Sequence, residues 1–181
     1  MTATTDCIPL VISYLLAAAA ASASLGAATP PVTIIDGQPA TTEPLTMNPS
    51  GLTQWLWIGS QGYAPPGQIA EAATGQQGFS FFDQARTRDN QIDILCAAEA
   101  AAGDMSVADA RNGAFAVMAA VELMLRGSPG TVPASPGDAS MGGLVQWSEV
   151  TGPIELAQGQ LTQGADALVK FRVTAFVRLT S

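Results

Sequence analysis

Histidine is absent from the 181-residue chain. Its absence removes the imidazole general base, the Ser/His and Cys/His nucleophile pairs and the commonest zinc ligand together. Charge is scarce as well: Asp, Glu, Lys and Arg make up 12% of the residues, about half the usual share in a soluble domain. Cations are the scarcer sign, 7 Lys and Arg against 15 Asp and Glu, for a net charge of −8. The first of them is Arg86, so residues 1–85 carry Asp6, Asp36, Glu43, Glu71 and Asp83 with nothing to neutralise a phosphate. Sequence-specific nucleic-acid binding and attachment to an anionic membrane are therefore not expected. Only 2 cysteines occur, Cys7 and Cys96, each in an apolar run and neither in a CxxC pair. They read as buried free thiols in a reducing compartment.

What the chain has instead is small residues, 32 alanines and 18 glycines, with 12 prolines to break them up. A length of 181 residues fits one domain spanning 1–181, long enough to bury about two thirds of its unfolded surface. With so little charge to solubilise it, part of the surface is expected to be covered by partners.

Residues 8–23, IPLVISYLLAAAAASA, imitate the apolar core of a secretory signal. The preceding MTATTDC supplies Asp6 and no cation, the run is too short to span a membrane, and a signal peptide needs a positive start. The spacing of Ile8, Val11, Ile12, Leu15, Ala19 and Ser22 predicts an amphipathic core helix, capped by Thr5 or Asp6 and ended near Gly26.

Further on, Val32–Asp36 and Thr53–Ile58 read as strands, the second with Trp55 and Trp57 on one face. Ile92, Ile94, Cys96 and Ala98 alternate through a third strand over Gln91–Ala101, with Phe79–Arg88 as its partner or lead-in. Ser106–Arg126 is the strongest helix, with Val107, Ala110, Ala114, Val117, Met118, Val121 and Leu125 on one stripe and a Ser106/Asp109 cap. Leu144–Val150 and Ala165–Thr180 complete the strands. Pro- and Gly-rich stretches near 37–52, 59–78 and 127–143 read as flexible loops, the middle one as an arm. The expected fold is α/β of the α+β kind: one mixed, mainly antiparallel sheet flanked by two main helices.

In the last strand Lys170, Arg172, Thr174, Phe176 and Arg178 share a face. Cross-strand pairing with Asp93 and Glu99 is one use for these cations. Contact with an acidic neighbouring subunit is the other. The subunit-interface candidates are accordingly Lys170, Arg172 and Arg178 with Arg86 and Arg88 on the basic side, and Glu43, Glu71 and Asp83 on the acidic side.

No pair of carboxylates stands at a spacing that nominates an acid and a base, and no glycine-rich turn opens a helix to cradle phosphate. Asp104, Asp109 and Asp138 lack the order of a calcium loop and read as loop and cap residues. No catalytic residue, cofactor or metal ligand is assigned.

The wording of the second half carries a resemblance. QIDILCAAEAAAGDMSVADARNGAFAVMAAVELMLRG is followed by a glycine-closed loop, then MGGLVQWSEVTG and a terminal GADALVKFRVTAFVRL. With its Cys96 strand, Gly103-Asp104 turn, Ala110-Arg111 and Ala114-Phe115 pairs, Val121-Glu122, Arg126 and Gly142-Gly143, this resembles the tail terminator proteins of long-tailed phages with actinobacterial hosts. The opening IPLVISYLLAAAAASASLGAATPPVTIIDG is similar to the family's first helix and strand. The resemblance covers most of the chain outside the two Pro/Gly-rich loops. It implies a structural virion protein without enzymatic activity, a hexameric ring of mixed α/β subunits that caps the tail tube and stops its polymerisation. The partners implied are further copies of the chain, the tail tube protein and the head-side connector or stopper, with DNA passing through the ring. The place implied is the head-proximal end of the tail, after synthesis in the host cytoplasm. Alternatives are another component of the same machine, a stopper, tail completion or tube protein, and an exported binding module.

Overall fold

The computed structural model describes residues 4–28, 30–37, 51–62, 69–82, 85–103, 106–126, 138–162 and 164–180. Along the chain come α1 (Thr4–Ala21), α2 (Ala23–Gly26), β1 (Thr33–Asp36), β2 (Leu52–Ile58), β3 (Ala73–Phe82), β4 (Ala85–Ala102), α3 (Val107–Arg126), β5 (Trp147–Leu161) and β6 (Gly164–Thr180). The fold is a single α+β domain built on one sheet of mostly antiparallel strands.

The sheet is organised by its two longest strands, β4 and β6, which run antiparallel from Thr87↔Thr180 to Ala102↔Ala165. The other edge of β4 is divided: Ala85–Ile94 pairs with β3, and Cys96–Ala102 pairs with β2. β1 lies parallel on β2, and β5 closes the opposite side of the sheet by pairing with β6.

Alternation decides which face is packed. Ile92, Ile94, Cys96 and Ala98 of β4 and Phe171, Val173, Ala175 and Val177 of β6 form one buried core with Cys7, Val11, Leu15 and Ala19 of α1 and Val117, Val121 and Leu125 of α3. Toward the start of α3 the packing changes character. There Ala100, Ala102, Ala165 and Ala167 of the sheet meet Ala110 and Ala114 of the helix, so the alanines that dominate the composition make a close helix-on-sheet contact. A Cβ added to Gly113 would stand 2.7 Å from Leu52 Cδ2 and 3.2 Å from Ala100 Cβ. Gln54 Nε2 donates to the Gly113 carbonyl across the same contact at 2.8 Å.

Among the described residues the other face of the sheet carries no helix. Trp55 and Trp57 lie on it with Ala97 and Ala101, flanked by Ile35 and Leu168. The chain leaving β2 turns over this face. Gly59 and Ser60 donate their N–H groups to the Leu95 carbonyl, and a Cβ on Gly62 (φ +107°) would come within 3.2 Å of Leu168 Cδ2. The register of β5 jumps from Thr151↔Arg172 to Glu155↔Lys170. Phe171 is thereby left without a partner residue in β5, and its carbonyl accepts from Gln61 Nε2 at 3.2 Å.

Several boundaries depart from the sequence reading. α1 begins at Thr4, so Thr5 and Asp6 lie inside the helix rather than before it, and Gly26 belongs to the short α2. Residues 73–78, expected in an arm, are part of β3, because pairing with β4 outweighs their poor strand propensity. Leu52 already belongs to β2, and 138–143, expected in a loop, form a hydrogen-bonded turn. β5 starts at Trp147 and continues to Leu161, well past the expected Val150, across Gly152-Pro153 by way of the bulge. The remaining parts of the three expected loops, 38–50, 63–68 and 127–137, lie outside the described residues. α3 follows its cap as expected: Ser106 N and Oγ donate to Asp109 Oδ2, and Asp109 N donates back to Ser106 Oγ at 3.3 Å. These bonds hold the Asp109 carboxyl below its usual range. Both cysteines are buried free thiols, and burial pushes Cys96 up to about 12.

Candidate functional site

The six charged candidates among the described residues do not gather at one place. Lys170 and Arg172 stand on the helix-free face, half-buried, at β4 register positions Ala97 and Leu95. Arg172 Nη1 lies 3.9 Å from Asp93 Oδ2. Thr174 Oγ1 donates to Asp93 Oδ1 at 2.8 Å, and Thr151 and Thr174 share a hydroxyl contact of 2.6 Å. Arg172 is thus engaged within its own subunit. Arg178 takes the register position opposite Asp89, while Arg86 and Arg88 stand opposite Phe81 and Phe79 of β3. Glu71 is exposed ahead of β3, and Glu43 and Asp83 lie outside the described residues.

Glu99 does not take the cationic partner that strand alternation offers it. Its register neighbours are Trp55 on β2 and Leu168 on β6. Its charged neighbour is Asp166, one diagonal step away, and the Trp57 side chain works in the opposite sense, favouring the charged form. Glu99 is 9% exposed, and neither its Oε2 nor Asp166 Oδ1 has a hydrogen-bond partner or contact with water. Burial first, and the Asp166 charge second, raise Glu99 to about 7. Burial also raises Asp166. Such a pair is built to hold a proton, since two adjacent carboxylates in a dry setting cannot both stay ionised at little cost. The sequence signal was available in retrospect: an acid in the alanine run CAAEAAA and another in GADAL fall at diagonal positions on neighbouring strands β4 and β6.

The second feature is an edge. Residues 152–158 of β5 are exposed, and the strand shows Ile154, Leu156 and Leu161 at 51%, 42% and 50% exposure. Among the described residues no strand pairs with its outer side. Trp147, at the start of β5, stacks on Phe176 with ring centroids 4.1 Å apart.

Among the described residues no group of three or more Cys, Asp or Glu side chains is arranged to hold a metal ion. Asp109 is a helix cap, Asp138 is bonded into a turn, and Asp104 lies outside the described residues. No described helix is long and apolar enough to cross a membrane. No family model matches the chain, and no curated protein matches it.

Proposed function

We propose that the chain is a structural subunit of a phage tail, a tail terminator that assembles as a hexameric ring on the tail tube, ends its growth and meets the head-side connector. The observation that carries this reading is the exposed β5 edge, with Ile154, Leu156 and Leu161 open on a chain that has little charge to keep such a surface apart from others. An apolar edge of this kind calls for a covering partner. The order of the resembling segments supports it: an opening helix and strand, the strand with Cys96, the helix that follows Gly103, and two strands after Gly142-Gly143. On this reading the protein is non-catalytic, needs no cofactor, and works at the head-proximal end of the tail. A stopper, completion or tube protein differs from it in position and stoichiometry.

The exported-module alternative has an observation against it. Cleavage near Ala23 would remove Cys7, Val11, Leu15 and Ala19 from the main core. N-terminal sequencing checks this directly: a start ahead of Cys7 is expected, and a start at Ala23 or beyond supports export. The test of the main reading is an image of the assembled particle. Six copies in one layer at the head-proximal end of the tube are expected, and any other position or stoichiometry overturns it.

A further inference from the structure

We infer that Glu99, Asp166 and residues 59–62 form a proton-controlled strap: while the two carboxyls hold a proton the strap lies down on the helix-free face, and when that proton passes to solvent the strap lifts and water reaches the pair. This is a property of the single subunit, whatever it assembles into. The pair comes from two interior strands of the sheet, and Glu99 Oε2 and Asp166 Oδ1 are both dry and without a hydrogen-bond partner. From β2, Glu99 is faced by Trp55 and Trp57, neither of them charged. From β6 it is faced by Leu168 at its own register position, with Asp166 and Lys170 on the two diagonals. Lys170 stands at the register position of Glu155 of β5 and, among the described residues, makes no ion pair with Glu99. Arg172 and Asp93, further along the face, are paired with each other. The strap itself, Gly59-Ser60-Gln61-Gly62, carries no charge. A second negative charge at this place therefore has no described counter-ion and is met at least cost by water.

The strap is the neighbour that can yield. β4 and β6 stay paired as far as Ala102↔Ala165, and on their other face Ala100, Ala102, Ala165 and Ala167 are packed under α3. The strap is held by less. Gly59 and Ser60 donate their N–H groups to the single Leu95 carbonyl, Gln61 Nε2 reaches the Phe171 carbonyl at 3.2 Å, and Gly62 lies against Leu168, the register neighbour of Glu99. The bond from Ser60 Oγ to the Gly62 carbonyl is internal to the strap and travels with it. A segment with so few ties opens at lower cost than the sheet unfolds. The direction of the response follows from proton counting. With the strap down Glu99 keeps its proton to about 7, whereas a hydrated glutamate loses it near 4.5. Between those values the closed form binds more protons than the open one, so rising pH favours opening across that window and the effect levels off above it.

Hydrogen exchange of the Gly59 and Ser60 amides, read by NMR at pH 5 and pH 8 and corrected for the intrinsic effect of pH, tests the strap. Their protection is expected to fall by about tenfold or more between the two values. It should be insensitive to low urea, because lifting a short segment exposes little surface, whereas the amides of the β4–β6 ladder should exchange faster as urea is added. In Glu99→Gln the protection of Gly59 and Ser60 should be the same at both pH values. Asp166→Asn removes the charge that helps Glu99 keep its proton and should move the fall to lower pH, so it carries the test should Glu99→Gln not fold. Protection that does not change with pH overturns the inference, as does a fall that persists in Glu99→Gln or does not move in Asp166→Asn. A fall with the same urea dependence as the ladder amides also overturns it, because the proton would then act on the whole fold and not on the strap.

Discussion

Tyr14 Oη donates to Asp138 Oδ2 at 2.6 Å, joining α1 to the turn before β5 across 124 residues of sequence. The same carboxylate accepts from Ser140 Oγ at 2.7 Å and from Gly142 N at 2.6 Å. It thereby holds a turn in which Met141, Gly142 and Gly143 all have positive φ. Tyr14 is raised to about 12, by burial first and then by this hydrogen bond, and Asp138 is held below its ordinary value with the tyrosine as the main cause. Tyr14→Phe should cost about 1–2 kcal/mol, and Asp138→Ala should cost more because the turn loses all three bonds. Because Asp138 is depressed, its contribution is present above the ordinary carboxylate value of 3.8 and is lost as pH falls below it. Denaturation of both variants at pH 7 and pH 3 checks this: the gap between Asp138→Ala and the parent should shrink in acid.

Glu99 works in the opposite sense. An ordinary glutamate loses its proton near 4.5, whereas in the folded chain Glu99 keeps it to about 7. Between those values the folded state binds more protons than the unfolded one, so stability falls as pH rises through that window. The stabilising effect is fully present below 4.5 and gone above 7. Glu99→Gln keeps the shape and removes the titration. It should match the parent near pH 4 and exceed it at pH 8 by on the order of 2 kcal/mol. Parallel stability curves for the two proteins from pH 4 to pH 8 would show that Glu99 is not the titrating group.

What could be read in advance followed periodicity. The stripe Val11, Leu15, Ala19 and the alternation Ile92, Ile94, Cys96, Ala98 each point to one face, and the structure buries both sets in one core. The first part of β3, residues 73–78, escaped notice because ATGQQG is glycine, glutamine and small residues, so only its partner β4 makes it a strand, whereas Phe79–Phe82 fell in the stretch expected to partner or lead into β4. The second half of β5 escaped for a related reason: Gly152-Pro153 looks like an end, and the bulge there lets the strand resume. Glu99 and Asp166 stand 67 positions apart in sequence, and only the β4–β6 register makes them neighbours. Periodicity within one strand shows which face a residue takes, and the identity of the residue beside it depends on register.

Gly113 measures how closely α3 sits on the sheet. Alanine in its place would gain about 1 kcal/mol of helix propensity. Its Cβ would press on Leu52 Cδ2 at 2.7 Å, the end of a side chain that can move, and on Ala100 Cβ at 3.2 Å, fixed to a central strand. The strand contact should decide the sign. Gly113→Ala is expected to be destabilising by about 1–2 kcal/mol net, and Gly113→Val to prevent folding. Chemical denaturation of the alanine variant is the check, and a gain in stability would mean that α3 can lift from Ala100 without loss.

Arg172 separates a role inside the subunit from a role between subunits. Its guanidinium lies 3.9 Å from Asp93, on a strand that is interior to the sheet, with β4 on one side and β5 on the other. Arg172→Glu would replace a weak attraction by a repulsion, and with its side chain 38% exposed solvent and salt screen both. A folding cost of about 1 kcal/mol at low salt, smaller at high salt, is expected. The double variant Asp93→Lys, Arg172→Glu should recover part of that cost, because the reversed pair restores opposite charges at the same two positions. Assembly should follow a different pattern. If the β5 edge makes the contact, Arg172→Glu should leave oligomer size and assembly rate unchanged under conditions where the subunit is folded, and Leu156→Lys should do the reverse. Light scattering and denaturation on the two variants, each at low and high salt, resolve this. Assembly that fails in Arg172→Glu while its folding is intact would move the contact from the sheet edge to the helix-free face, where Lys170 and Arg172 stand together.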